Sequence, residues 1–286
     1  MPIDPSARGW DAKQSAKVAE FNEAQAYAAL ARAAALQGAA RPVAIDTVAD
    51  GLALRSDGDR STTLFNRVIG LGLERRFDAD TLAAVAAKFA NCEGPWGLEL
   101  APPATHEGVR GLLKQLQLRR GLSTAMLAMD CADLTGDRPT WRIQRGGLED
   151  GEVAAEMIGG VFGVSHAVTQ ILRHAPQAGG FTLWMAYEGE RPVATSLTHI
   201  RGEAAWFGWA ATLPSHRKRG LQSALLWHGL RDARERGCRW MTAETAIGTL
   251  EMPDASYRNM RRFGFVELYR RHGYLRVPRR TLSRAA

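Results

Sequence analysis

Thr212-Leu213-Pro214-Ser215-His216-Arg217-Lys218-Arg219-Gly220-Leu221-Gln222-Ser223-Ala224-Leu225-Leu226 is the stretch on which the reading of this chain turns. An apolar, aromatic strand pattern runs up to Thr212 and Pro214 stops it. From Leu221 the residues Leu221, Leu225, Leu226, Leu230 and Ala233 recur at helical spacing, and Gly237 sits where a C-terminal cap belongs. A loop that feeds a helix in this way leaves successive backbone N–H groups without an intrahelical partner. With the positive end of the helix dipole they form a nest for anions. Gly220 lets the backbone come close to a phosphate. Arg217, Lys218 and Arg219 place charge where a diphosphate would sit.

Upstream, Phe181–Tyr187, Val193–Ile200 and Ala204–Thr212 read as three strands joined by tight turns, Glu188-Gly189-Glu190-Arg191-Pro192 and Arg201-Gly202-Glu203. Such connections make them antiparallel. Before them, Thr140–Gln144 reads as a strand, and Asp150–Phe162 and Ser165–Arg173 as helices. Downstream come a strand (Arg239–Thr245), a loop containing Pro253, a helix (Ala255–Phe263) broken by Gly264, and one or two closing strands to Val277. The order is β-α-α-β-β-β-α-β-α-β.

The N-terminal half repeats much of it. A helix (Asp11–Leu36) precedes a strand pair around the Asp50-Gly51 turn, a hairpin signal. Then come a strand (Thr62–Gly72), a helix (Asp78–Asn91), a strand (Trp96–Leu100), a helix (His106–Gln117) and a strand (Leu122–Met129). Thr81–Gly94 before Pro95-Trp96 matches Leu221–Gly237 before Arg239-Trp240, and Lys114–Ala125 matches Tyr257–Leu268. The polar stretch Asp133–Arg138 is the natural joint. The expected units are residues 1–135 and 136–286, two being the prior for 286 residues.

Composition narrows the classes. The alanine-rich Asp11–Leu36 helix, interrupted by Lys, Glu and Arg, reads as an amphipathic surface helix. No apolar run is long enough to cross a bilayer, and the first residues lack a hydrophobic signal. Cys92, Cys131 and Cys238 show neither metal spacing nor a disulfide framework, so each reads as a small buried residue and the expected compartment is the cytoplasm. The net charge of +7 gathers late, in Arg258, Arg261, Arg262, Arg270, Arg271, Arg276, Arg279 and Arg280. That could serve a nucleic acid or a small polyanionic cofactor. Any single one of these arginines reads as solvated surface. No helix-turn-helix, zinc-finger or aromatic RNA-binding signature is present.

The C-terminal half resembles the GNAT superfamily of N-acetyltransferases. That family's Arg/Gln-x-x-Gly-x-Gly/Ala signature, which grips the coenzyme A pyrophosphate, is matched by Arg217 and Gly220, with Gln222 at the final position. Arg67-Val68-Ile69-Gly70-Leu71-Gly72 fits the same pattern but lies within an apolar strand-like run, so context makes it structural. The corresponding N-terminal loop, Glu74-Arg75-Arg76-Phe77-Asp78-Ala79-Asp80, has no glycine and three acids. The resemblance implies an α/β (α+β) fold of two GNAT-like domains, each a mixed, mostly antiparallel sheet flanked by helices. Residues 1–135 would be degenerate and residues 136–286 catalytic.

It also implies acetyl-coenzyme A as the acetyl donor, held by Ala211, Thr212, Leu213, Arg217, Lys218, Arg219, Gly220, Leu221, Gln222 and Ser223. Ser256, Asn259 and Arg262 would follow on the helix along the pantetheine arm. Ser256 and Asn259 share one helix face; in competition, Ser256 would cap the helix and Asn259 would be solvated.

Direct attack of an amine on a thioester needs a deprotonated nucleophile, a positioned carbonyl and a proton for the thiolate. Glu244, at the end of a strand beside the expected splay of the sheet, is the candidate base, against a structural carboxylate bonded to a neighbouring strand or arginine. The family's usual acid, a tyrosine four residues before the Gly-Phe, is Met260 here, which leaves Ser256, Tyr257 and Tyr269 as substitutes. His199, His216 and His228 show neither zinc spacing nor a triad signature. The expected activity is acetyl transfer to a small-molecule or peptide primary amine. A coenzyme A-binding regulator or scaffold ranks second and a basic nucleic-acid binder last. No membrane partner is expected, and monomer or homodimer both fit.

Overall fold

The computed structural model describes residues 11–39, 42–105, 108–248 and 254–277. The N-terminal half supplies helix α1 (Ala12–Leu36), strands β1 (Ala44–Val48), β2 (Gly51–Arg55) and β3 (Arg67–Ile69), helix α2 (Ala79–Lys88), β4 (Trp96–Leu100), α3 (Val109–Gln115) and β5 (Arg119–Asp130). The C-terminal half supplies β6 (Arg142–Arg145), α4 (Asp150–Phe162), α5 (His166–Leu172), β7 (Phe181–Glu188), β8 (Arg191–Arg201), β9 (Ala204–Thr212), α6 (Leu221–Glu235), β10 (Trp240–Ala246), α7 (Ala255–Phe263) and β11 (Val266–Arg276). The expected order β-α-α-β-β-β-α-β-α-β recurs in this second set, with one closing strand. Pro253 and His106 lie outside the described residues, as do Arg279 and Arg280.

All eleven strands join one sheet, in the order β1-β2-β3-β4-β11-β5-β10-β9-β8-β7-β6. Apart from the extra edge strand β6, the order is a palindrome. From each end, two antiparallel pairings lead to a parallel pair, β3–β4 on one side and β9–β10 on the other. At the centre the closing strands are exchanged: β11 pairs with β4, and β5 pairs with β10. The two then pair with each other, Val266 opposite Ala128 and Leu275 opposite Arg119. The exchange covers the open edges of β4 and β10, which would otherwise expose unpaired backbone groups. The stretch Asp133–Arg138 follows β5 in the chain, yet β5 and β11 stay paired across the centre, with irregularities between Glu267 and Tyr269 and between His272 and Tyr274.

Alternation along the strands sends side chains to two apolar layers. Leu183, Met185, Leu197, Trp206 and Trp209 pack beneath α1, α4 and α5. Trp184, Phe207, Met241 and Ala243 pack against α6 and α7. α1 crosses the sheet, touching β3, β9, β10 and β11.

Three local expectations need correction. α1 is not a surface helix: Glu20 and Glu23 are fully buried with its alanines, because the helix is clamped between α5 and the sheet. Arg271 is not solvated surface; it is a fully buried side chain. The strand expected over Thr62–Gly72 shrinks to Arg67–Ile69, since Asp59 draws Ser61 and Thr62 into a turn and Gly70, at φ 78°, ends the extended run.

Candidate functional site

The parallel pairing of β9 with β10 runs from Ala204–Trp240 to Phe207–Ala243 and ends there, although β9 continues to Thr212 and β10 to Ala246. The two strands therefore splay apart beyond Phe207 and Ala243. A bulge against β8 marks the same point, and within it Trp209 takes φ 53°. Glu244 is the first residue of β10 past the last pair. The loop from β9 to α6 opens onto the other end of this splay.

That loop is shaped for an anion. Lys218 and Gly220 are both left-handed, at φ 63° and 80°, which turns successive N–H groups toward one side. Gly220 is the N-cap of α6 and no side chain caps the helix. A Cβ at Gly220 would meet no protein atom, so the backbone angle, not crowding, calls for glycine here. Arg217, Lys218 and Arg219 are exposed. Arg219 is held from three sides: its carbonyl accepts from Trp141 Nε1 at 2.9 Å, its guanidinium lies 4.9 Å from the Trp141 ring, and Nη2 donates to Glu188 Oε1 at 2.7 Å. His216, with Ser215 on its Nδ1, faces the other oxygen of Glu188 at 3.0 Å. These bonds hold the Glu188 carboxyl below its ordinary range, the His216 bond first and then that of Arg219. Sequence reading passed over Glu188 and Trp141; Glu188 at a hairpin turn was the available signal.

The first turn of α6 is stitched to α7. Gln222 Nε2 donates to Ser256 Oγ at 2.6 Å, Asn259 Nδ2 donates to Gln222 Oε1 at 3.0 Å, and Ser223 Oγ donates to Asn259 Oδ1 at 3.1 Å. Asp254, not Ser256, caps α7. Ala211, Thr212 and Leu213 lead into the loop, Leu221 is buried beneath it, and Arg262 is exposed on α7. The structure thus brings Gln222 and Ser223 of the α6 first turn together with Ser256 and Asn259 of α7.

The four candidate acid–base residues do not gather in the same way. Ser256 and Tyr257 belong to α7; Tyr257 donates to Glu267 at 2.6 Å, and burial together with that carboxylate raises its pKa. Tyr269 and Glu244 lie on the α1 side. Tyr269 donates to Glu20 at 2.9 Å, and burial and the Glu20 charge push it well above the ordinary phenol value. Glu244 pairs with Arg271 Nη2 at 2.9 Å and keeps 22% of its side chain exposed. Burial raises its pKa, but Arg271 and then Arg67 outweigh burial and bring it down to about 2. Met260 is buried in the core, so α7 offers no hydroxyl at that position.

The remaining groups are structural in their contacts. His199 and His228 are buried and pushed down to about 4, chiefly by burial. The three cysteines are buried thiols. Of the late arginines, Arg261 donates to the Phe265 carbonyl, Arg270 pairs with Glu267 and Arg271 is interior, while Arg258 and Arg262 are exposed. Among the described residues there is no cluster fit to hold a metal ion, and no helix is long and apolar enough to cross a membrane.

Residues 153–243, from α4 to β10, match the family model of the acetyltransferase (GNAT) domain. A search of curated proteins finds no match. Among solved structures, a GCN5-related N-acetyltransferase from Kribbella flavida superposes with a TM-score of 0.61 at 19% identity, over 85% of this chain and 94% of that one. A tandem GNAT protein from the clavulanic acid biosynthesis pathway gives a TM-score of 0.58 at 14% identity, over 94% and 97%. A GCN5-related N-acetyltransferase from Sphaerobacter thermophilus gives 0.52 at 17% identity, over 83% and 76%. At these identities the likeness is one of fold, and it extends over both halves.

Proposed function

We propose that the GNAT acetyltransferase domain carried by the C-terminal half binds acetyl-coenzyme A at the β9–α6 loop and transfers its acetyl group to a primary amine. The single observation that carries this reading is the uncapped N-terminus of α6 behind two left-handed residues, Lys218 and Gly220, with Arg217 and Arg219 alongside. The loop from Leu213 to Ser223 would hold the pyrophosphate through backbone N–H groups and positive side chains. Ala211 and Thr212 would line the pantetheine arm, and Asn259, Ser256 and Arg262 its far side. Acetyl-coenzyme A supplies an activated acyl group with a good leaving thiol.

The chain's own contribution is placement. The splay of β9 from β10 leaves backbone groups of β9 beyond Phe207 unpaired by β10 and available to the carbonyl. The neutral amine attacks the carbonyl carbon; the C–N bond forms, the C–S bond breaks, and one nitrogen proton ends on the thiol. For that last proton Tyr257, Tyr269 and Ser256 are the candidate hydroxyls, with Tyr257 bonded to Glu267 and Tyr269 to Glu20. Both tyrosines hold their protons tightly.

A second reading has one observation behind it. Met260 fills the core where the family's tyrosine would stand, and Tyr257 is engaged by Glu267. On that reading the chain binds coenzyme A and does not transfer. Thiol release measured with acetyl-coenzyme A and a panel of small primary amines separates the two. Release with a matching acetylated product supports transfer; binding without release from any amine supports the second reading.

A further inference from the structure

Helix α3 carries Arg110 and Lys114 four residues apart, on one face. Like charges at that spacing repel and weaken a helix. Gln117, at φ 57°, then turns the chain back into β5, whose first residue is Arg119. Arg110, Lys114, Gln117 and Arg119 wall a cavity of about 330 Å³, and the buried Leu113 and Leu118 supply an apolar part of its lining. The remaining wall comes from the C-terminal half: Tyr274 of β11, half-buried, which pairs with Arg120 of β5.

Three cations and no acid line this cavity. Elsewhere on the surface Arg142 pairs with Glu190, Arg173 with Glu152 and Arg231 with Glu235. Arg110, Lys114 and Arg119 are exposed and make no ion pair among the described residues. The Tyr274 hydroxyl and the Gln117 side-chain amide likewise have no hydrogen-bond partner among them. Positive charges that converge on one concavity repel one another, and an anion seated between them relieves that repulsion.

The lining also selects the kind of anion. Three cations, a phenol and an amide offer more donors than one carboxylate can accept, and they suit the three terminal oxygens of a phosphate monoester. The tyrosine ring and the two leucines add a wall on which a flat ring can rest. The volume stands at the low end of the roughly 300–1,000 Å³ of small-molecule sites, which favours a compact ligand. A nucleic-acid backbone would call instead for cations strung along a stripe.

We propose that this cavity binds a small phosphate monoester joined to a flat ring, of the nucleoside monophosphate class. The proposal is independent of the acetyl-transfer reading, since the cavity shares no residue with the β9–α6 loop. Its walls come from α3 and β5 of one half and β11 of the other, so the bound ligand ties the exchanged strands together and stabilises the whole chain.

The test is calorimetric titration of the intact chain with adenosine 5′-monophosphate, alongside melting curves. One site per chain is expected, with a melting temperature that rises with nucleotide concentration. Arg110→Ala/Lys114→Ala, two changes at exposed positions, should weaken binding about a hundredfold at low salt, with the fold retained by circular dichroism. Inorganic phosphate should bind about tenfold more weakly than the nucleotide, and Tyr274→Leu should narrow that gap. Gly220→Glu, which blocks the proposed cofactor loop, should leave nucleotide binding unchanged. Nucleotide binding that disappears in Gly220→Glu would assign it to the cofactor loop and overturn the proposal. No binding of the nucleotide, or binding indifferent to Arg110→Ala/Lys114→Ala, would overturn it too. Equal affinity for inorganic phosphate and the nucleotide would overturn the ring-bearing class, and tighter retention of single-stranded DNA through Arg110 and Lys114 would replace the small ligand with a nucleic acid.

Discussion

The two strand-to-helix loops of this chain occupy mirrored places in one sheet and have opposite fates. After β3, the carboxylate of Asp50 accepts from the N–H groups of Gly72 at 2.9 Å, Glu74 at 2.6 Å and Arg75 at 3.3 Å, and Asp78 caps α2 by accepting from the N–H of Thr81. The N-terminal nest is thus filled by the chain's own anion. After β9, the hairpin carboxylate Glu188 is bonded to the side chains of His216 and Arg219 instead, and the first turn of α6 has no cap. One hairpin acid consumes the loop's backbone donors; the other braces the loop from outside through side chains alone. A duplicated fold can lose or keep an anion site by the placement of a single carboxylate.

Breaking the open loop should have the largest effect. Gly220→Glu forces a side chain into the left-handed region and puts a negative charge in the nest; acetyl-coenzyme A should bind at least about a hundredfold more weakly, about 2.7 kcal/mol, with the fold retained by circular dichroism. Unchanged affinity would remove the loop from the site. Asp50→Ala strips three N–H groups of their acceptor and should destabilise the protein by about 1–3 kcal/mol in urea melts. It should not create a second coenzyme A site, because Glu74, Asp78 and Asp80 remain.

Removing charge alone should matter less. The double variant Arg217→Ala/Lys218→Ala should weaken binding about tenfold at low salt, with a smaller difference at high salt. A salt-independent loss would point to altered loop shape. The smallest effect concerns acid. His199 and His228 belong to the half with the open loop, and burial holds both at about 4. Their folded pKa lies below the unfolded one, so unfolded chains take the proton first and stability is lost as pH falls from about 6.5 toward 4. Melting temperature should drop by a few degrees between about pH 7 and 5, and less in His199→Gln. A rise over that range would contradict the burial of these rings.

Much of this was legible in the chain. α4, α7 and β9 begin and end at the residues that periodicity, glycines and Pro214 suggested, because each is set by local chemistry. What was not legible is long-range. The exchange of β5 with β11 depends on pairings more than a hundred residues apart in sequence, and no local pattern encodes which neighbour a strand will take. Glu20 and Glu23 read as the polar face of α1 since their partner, Arg271, lies some 250 residues away. Asp50 read as a turn former, which it is; its second task appears only when Gly72–Arg75 fold back over it. Ser256 and Asn259 read as a pair on one face, and the structure uses that face to tie α7 to Gln222 and Ser223.

Whether one nest is open and the other filled is tested by calorimetric titration of the intact chain with acetyl-coenzyme A. One binding site per chain is expected, abolished by Gly220→Glu and untouched by Asp50→Ala. Two sites per chain, or one site that survives Gly220→Glu, would contradict it.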